Sequence, residues 1–420
     1  MIGCGVRGWV LCLLIVSACG GKAVGDDHEP READVRPRGG VASECQEPPS
    51  EAPAWSVEPC TLQSFDVESG LGRISDLAVD SDGLLVLRGD EAFDEESAAA
   101  TLQRYALGGA REASTSLEIR SGAALVDLPE GVALVDRGEA GYFRVRRFSR
   151  DLLLVEEHEL ETPEPIHSTI VLFNAVSDRD RLHVTYFEPN WDGGYTNSGY
   201  IHYARFDSHG ASEFDVRITD PSGFVGPGDI QPFCGGAAVT SYRTRADGGS
   251  EVYLSYVDDG GAIVFEELLD RDVPQLMNSS RASFLDRPGD GTFLVTWLDT
   301  RLTRKEFSPP TAYSVAAIGY DGGLRWQKRL DLPERVRGMP DAHWAGEVRV
   351  GIDGFGADIG AVLRLSAAGE TFETRKLLEE RSVLRALVPT PTGYASLSQW
   401  VESTGRGGSV LTIATCDPER

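Results

Sequence analysis

Ionisable side chains recur at the starts of short apolar segments along this chain: Arg73 and Asp76, Arg120, His167, Asp229, Arg281, Asp341 with His343, and Arg385. Acid and base groups gathered in one cleft can pass protons and so support hydrolysis or lysis. The same groups can line a polar channel as salt bridges, because structural networks collect charges as readily as active sites do. That is the simpler reading of this set. A second set lies in one polar stretch, Glu188-Pro-Asn-Trp-Asp-Gly-Gly-Tyr-Thr-Asn-Ser-Gly-Tyr200. Here Asn190, Trp191, Asp192, Tyr195 and Tyr200 mix rings that stack with amides and a carboxylate that hydrogen-bond. Such a mixture suits a sugar or a peptide, or else a solvated insertion whose aromatics pack on the fold beneath. No HExxH, GxSxG, phosphate-binding or calcium loop occurs, and Asp80-Ser-Asp-Gly83 reads as a hairpin turn. No Cys/His cluster has zinc spacing. Neither a catalytic residue, a metal nor a cofactor is assigned.

The first residues set the compartment. A short segment ending at Arg7 precedes the apolar run Trp9–Val16, and small residues then lead to Cys19. Eight apolar residues are far short of the roughly twenty that a membrane-spanning helix needs. The length suits the core of a cleaved signal peptide, residues 1–18. Val16-Ser17-Ala18-Cys19 resembles the lipobox of bacterial lipoproteins. That resemblance implies cleavage before Cys19, acylation of Cys19 and anchoring to a membrane by several acyl chains. Gly20 in place of an aspartate implies the outer membrane of a bacterial cell envelope. Residues 19–58 are rich in Gly, Pro and charge without apolar periodicity, so they read as a disordered tether. The formal charge of −26 and pI near 4.7 exclude a nucleic-acid partner, which requires a basic footprint.

From residue 59 to 420 the pattern changes. Short period-two alternations recur between turns such as Asp192-Gly193-Gly194, Asp258-Asp259-Gly260-Gly261 and Asp321-Gly322-Gly323, which makes the class all-β. A weak repeat runs through Tyr105, Phe148, Phe206, Tyr256, Tyr320, Leu365 and Ala414, spaced 43 to 64 residues apart. A second strand precedes each marker by about twenty residues, the first being Leu84–Leu87 and the last Tyr394–Gln399. Seven units with room for four strands each predict a single β-propeller, most simply of seven four-stranded blades. Six or eight blades, or a pair of β-sandwiches, are the alternatives. Tyr320-Asp-Gly-Gly-Leu-Arg-Trp326 resembles the hairpin of quinoprotein-like repeats, and the whole is similar to WD-repeat and quinoprotein-like propellers, without a specific family.

Thr61–Val67 stands alone before the first full unit, while the last unit has only three strands. Thr61–Val67 therefore completes the last blade, which brings Cys60 to Cys416 with workable disulfide geometry. Cys45 then falls to Cys234 by elimination, with Cys45–Cys60 the local alternative; an oxidising envelope favours such bridges. The long connections Arg88–Thr101, Phe187–Gly199 and Leu298–Thr311 share one face with the starts of the inner strands. Arg73, Asp76, His167, Arg281, Asp341 and His343 would line the channel mouth there. Long loops on a rigid scaffold usually carry binding. The function expected is a lipid-anchored envelope protein that binds or scaffolds an envelope protein or glycan through this face. The alternative is a hydrolase or lyase acting on carbohydrate at the channel mouth.

Overall fold

A computed structural model describes the chain from Cys60 to Cys416 apart from a number of connections, of which 90–97, 163–172, 190–198, 274–282 and 300–311 are the longest. Residues 1–59 and 417–420, and with them Cys19, Cys45, the signal peptide and the tether, lie outside the described residues. Among the described residues, twenty-nine strands fall into seven antiparallel sheets. The first contains β2 (Ile74–Val79), β3 (Gly83–Gly89), β4 (Ala98–Ala106) and β5 (Arg111–Ile119). The second contains β6 (Ala123–Leu128), β7 (Gly131–Arg137), β8 (Phe143–Phe148) and β9 (Leu154–Glu159). The third contains β10 (Phe173–Asp178), β11 (Arg181–Pro189), β12 (Gly199–Phe206) and β13 (Ser212–Arg217). The fourth contains β14 (Val225–Phe233), β15 (Gly236–Thr244), β16 (Ser250–Val257) and β17 (Ile263–Val273). The fifth contains β18 (Ser283–Asp286), β19 (Thr292–Asp299), β20 (Ala312–Gly319) and β21 (Leu324–Asp331).

The sixth sheet is split at its inner edge. Both β22 (Val336–Gly338) and β23 (Ala342–Trp344) pair with β24 (Val348–Gly354), followed by β25 (Gly360–Leu365) and β26 (Thr371–Lys376). Pro340 lies between the two short strands in sequence, and a proline offers no amide to a ladder. The seventh contains β27 (Ser382–Thr390), β28 (Gly393–Val401) and β29 (Gly407–Thr415), and its outer strand is β1 (Thr61–Ser69) from the other end of the domain. Thr61 pairs with Thr415 and Phe65 with Leu411, as the lone strand at 61–67 predicts.

Burial explains the sequence pattern. The second strands are covered on both faces, so β3 is buried throughout and reads as the continuous run Leu84-Leu-Val-Leu87. The outer strand β5 alternates because one face meets solvent. Apolar layers fill the gaps between consecutive sheets. Leu87, Leu102, Leu125 and Leu134 join the first and second, and Val135, Phe143, Val184 and Phe206 the second and third. Leu84, Val86, Leu397 and Leu411 join the seventh to the first. The inner strands touch in sequence order, β2 with β6, β6 with β10, β10 with β14, β14 with β18, β18 with β23 and β23 with β27, and β27 returns to β2. The described domain is a single all-β propeller.

A disulfide between Cys60 and Cys416 staples β1 to β29 across a sequence separation of 356. Both cysteines are buried. In the chain-entropy account, closing so long a loop stabilises by on the order of 5 kcal/mol. Cys234 is also disulfide-bonded, and its partner lies outside the described residues.

The strands reach further into the long connections than their polar sequence suggests. β3 runs to Gly89 and β4 begins at Ala98, while β11 continues to Pro189 and β12 begins at Gly199. Tyr200 is therefore a strand residue opposite Glu188, and not part of the loop tip. Backbone pairing does not require apolar side chains, which is why composition alone sets the loop boundary too early.

Candidate functional site: a charged network on the third sheet

Three strands of the third sheet carry polar side chains at positions i and i+2. These are Tyr186 and Glu188 on β11, Tyr200 and His202 on β12, and Asp215 and Arg217 on β13. Register puts Tyr186 opposite His202, Glu188 opposite Tyr200, and Arg217 opposite His202. Strand side chains alternate between faces, so all six lie on one face of the sheet. That face looks toward the second sheet, where Phe143 packs against Phe173 and Tyr186 with ring centroids 4.9 and 5.5 Å apart.

His202 sits at the centre, its ring stacked on Tyr186 at 4.8 Å. Its Nδ1 lies 2.7 Å from Asp215 Oδ1 and its Nε2 lies 2.7 Å from Glu188 Oε2. Both nitrogens lie against carboxylate oxygens. Tyr186 donates its hydroxyl to Asp215 Oδ2 at 2.5 Å. Burial, reinforced by the Asp215 carboxylate, drives the phenol well above its usual range and keeps it a donor. Arg217 donates to Glu188 Oε2 at 3.1 Å, and its guanidinium lies 4.3 Å over the Tyr200 ring.

Exposure divides the network. Tyr186 and His202 are buried and the Asp215 side chain is covered, whereas the Glu188 and Arg217 side chains are 29 % and 55 % exposed. The inner groups are engaged with one another and hold the outer ones in place. A general base needs a lone pair within reach of a substrate proton, and His202 spends both nitrogens on carboxylates. Such an arrangement preorganises a rim of Glu188, Tyr200 and Arg217. The rim stands at the ends of β11 and β12 where the chain enters and leaves 190–198.

Asn190, Trp191, Asp192 and Tyr195 lie outside the described residues, as do Arg73, Arg120, His167, Arg281 and Asp341. His343 belongs to β23, where its backbone pairs with Arg349, but its side chain is not among those described. Asp76 accepts from the Leu77 amide and from Leu125 of the neighbouring sheet, both at 2.9 Å. Asp229 accepts from Asn174 at 2.5 Å and from the Ile230 amide at 2.9 Å. These two carboxylates fasten one inner strand to the next. Arg385, exposed, donates to Gln399 at 2.8 Å. No group of side chains suited to hold a metal occurs among the described residues.

The opposite face of the third sheet carries a second polar set. Arg205 donates to Asp259 Oδ1 at 2.6 Å, to the Asp259 carbonyl at 3.0 Å, and also to Glu213 and the Gly235 carbonyl. This clasp locks the third sheet to the fourth beside the Cys234 turn. Beneath it His183 Nδ1 meets the Tyr203 hydroxyl at 2.7 Å, while Nε2 has no partner. Burial first, then Arg205 and Arg181, pushes the His183 imidazole down to about 3. The sequence gives one cue to both sets, namely polar residues alternating inside strands that are otherwise apolar, as in Tyr186-Phe-Glu188 and Tyr200-Ile-His202.

No family model matches the chain, and no curated protein matches it either. Solved structures do. A polysaccharide lyase, Uly1, superposes with TM-score 0.51 at 9 % identity over 81 % of this chain and 89 % of its own. The β-propeller domain of the Trilobed protease from Pyrococcus furiosus gives 0.49 at 11 % identity, covering 83 % and 96 %. The WD40 domain of Toxoplasma gondii coronin gives 0.49 at 10 % identity, covering 88 % and 90 %. At such identities a likeness speaks for fold alone.

Proposed function

We propose that this chain is an envelope lipoprotein, anchored through acylated Cys19, whose propeller binds an envelope protein or glycan through the face carrying the long second-to-third-strand connections. The observation that supports the reading is the saturated His202 network, which spends its acid and base groups internally while presenting Glu188, Tyr200 and Arg217 to solvent. We read the seven sheets as seven blades in one ring, because the inner strands contact in a closed circuit. We also read Cys45 as the partner of Cys234. Cys60 and Cys416 pair with each other, Cys4 and Cys12 leave with the signal peptide, and Cys19 carries lipid. An enzyme at the channel mouth has less support, since Asp76 and Asp229 are engaged in joining sheets.

The full chain, purified in detergent, is to be screened against a glycan array and against envelope extract. The Tyr200→Ala/Arg217→Ala variant is expected to lose at least about tenfold in affinity for any ligand found, as the loss of an aromatic–arginine contact at an interface commonly does. Unchanged affinity in a normally folded variant removes this rim from the account.

A further inference from the structure

Among the described residues, the exposed large apolar side chains are Leu153, Leu154, Val155 and Leu324, at 67, 54, 69 and 52 % exposure. They fall at two turns, one in the second sheet and one in the fifth. Leu153 closes the turn between β8 and β9, whose ends meet as the Ser149 amide donates to the Leu153 carbonyl, and Leu154 opens β9. Leu324 opens β21 after the matching turn, in which the Gly319 amide donates to the Gly323 carbonyl. Both sites are third-to-fourth-strand turns. In the seventh sheet the corresponding end is where Thr61 meets Thr415, with Cys60 and Cys416 just beyond. The apolar side chains therefore share a face with Cys60, the point from which the chain departs toward residues 19–59. The long-connection face lies at the other ends of the strands.

We infer that this apolar rim rests on the lipid surface into which the Cys19 acyl chains insert. The inference rests on the anchoring proposed above. A bilayer is taken as its occupant because Cys60, beyond which the chain runs back in sequence to Cys19, stands on the same face. With a chain charge of −26, a polybasic grip on anionic lipid is not available. Contact is thus apolar, Leu153, Leu154 and Val155 entering the headgroup boundary as exposed Leu side chains do in interfacial segments. The face that presents Tyr200 and Arg217 is then directed away from the membrane.

The test uses the full chain in phosphatidylethanolamine/phosphatidylglycerol vesicles, with Leu153→Trp and, as a second site, Leu154→Trp. Glu118→Trp, at the opposite end of an outer strand and exposed, is the control. Emission is read as the difference from the parent chain. Tryptophan at an interface is blue-shifted and is quenched by lipid brominated on its acyl chains. Quenching at 153 and 154 without quenching at 118, unaffected by high salt, is the expected result. A chain that floats with vesicles but shows no quenching at 153 and 154, or equal quenching at 118, overturns the inference while leaving the anchor standing. A chain that does not float overturns the anchor, and the same quenching is then read with vesicles in excess, where its absence overturns this inference too. A blue shift produced only by envelope protein, and not by lipid, assigns the rim to a protein and also overturns it.

Discussion

His183 must stay neutral where it lies. Its ring is fully buried, meets the Tyr203 hydroxyl on one side and lies near Arg205 and Arg181. An unfolded histidine titrates near 6.5, whereas burial and the two arginines hold the native ring down to about 3. Between those values the unfolded chain binds the extra proton, so stability is full above about pH 6.5 and falls as the pH drops toward 3, at up to roughly 1.4 kcal/mol per pH unit. His183→Gln, which can still meet Tyr203, is expected to flatten that part of the stability–pH curve measured by chemical denaturation. An equal slope in the variant assigns the acid sensitivity elsewhere. A second residue-scale prediction concerns Asp136, fully buried, which takes two hydrogen bonds from Arg144 at 3.0 and 2.6 Å and one from Arg146 at 3.0 Å. Asp136→Ala removes the buried carboxylate that both guanidinium groups share and is expected to cost about 3–5 kcal/mol. A loss under 1 kcal/mol by denaturant titration contradicts the assignment.

At the scale of elements, the turns between third and fourth strands repeat one geometry. The fourth residue of each such turn among the described residues adopts a positive φ, as at Gly109 with φ 83° and Leu152 with φ 60°. In the first sheet this position abuts the outer strand of the seventh, and a Cβ on Gly109 would stand 2.1 Å from the Phe65 ring. Gly109→Ala is therefore expected to destabilise through both strain and overlap, by roughly 1–3 kcal/mol. Leu152 tolerates the same backbone because its side chain is buried in the apolar layer between the first and second sheets. Relieving left-handed strain returns about 1–2 kcal/mol, while emptying a buried leucine site costs about 2–5 kcal/mol. Leu152→Gly should thus destabilise on balance, and a more stable variant would show that strain dominates.

These elements also explain what was legible in advance. The buried second strands announce themselves as apolar runs, and the unpartnered segment at 61–67 points to its place beside β29, because both signals are local. The His202 network was not legible as a site. Its six residues come from three strands and are spread from 186 to 217, and only the register of the ladder puts them on one face. Asp76 was legible as an ionisable residue at an inner strand, but its role as a link to Leu125 depends on the neighbouring sheet.

For the whole molecule, closure depends on β1 being held against β29. The ladder and the Cys60–Cys416 bridge do this together. Cys60→Ser/Cys416→Ser should keep the native fold, since the ladder remains, but lower its stability by up to about 5 kcal/mol as the unfolded chain regains its freedom. Unchanged denaturation under non-reducing conditions would place the closure wholly in the ladder. Under the proposed function the face carrying Cys60 is turned toward lipid, and the rim where Glu188, Tyr200 and Arg217 converge is turned outward. The most direct test is a photo-reactive residue introduced at Tyr200 in the full chain, irradiated in intact cell envelopes, beside the same residue at exposed Glu112 near the opposite end of an outer strand. The account predicts a defined adduct from position 200 that disappears on Arg217→Ala and is absent from position 112. No adduct at 200, or the same adduct from both positions, would contradict it.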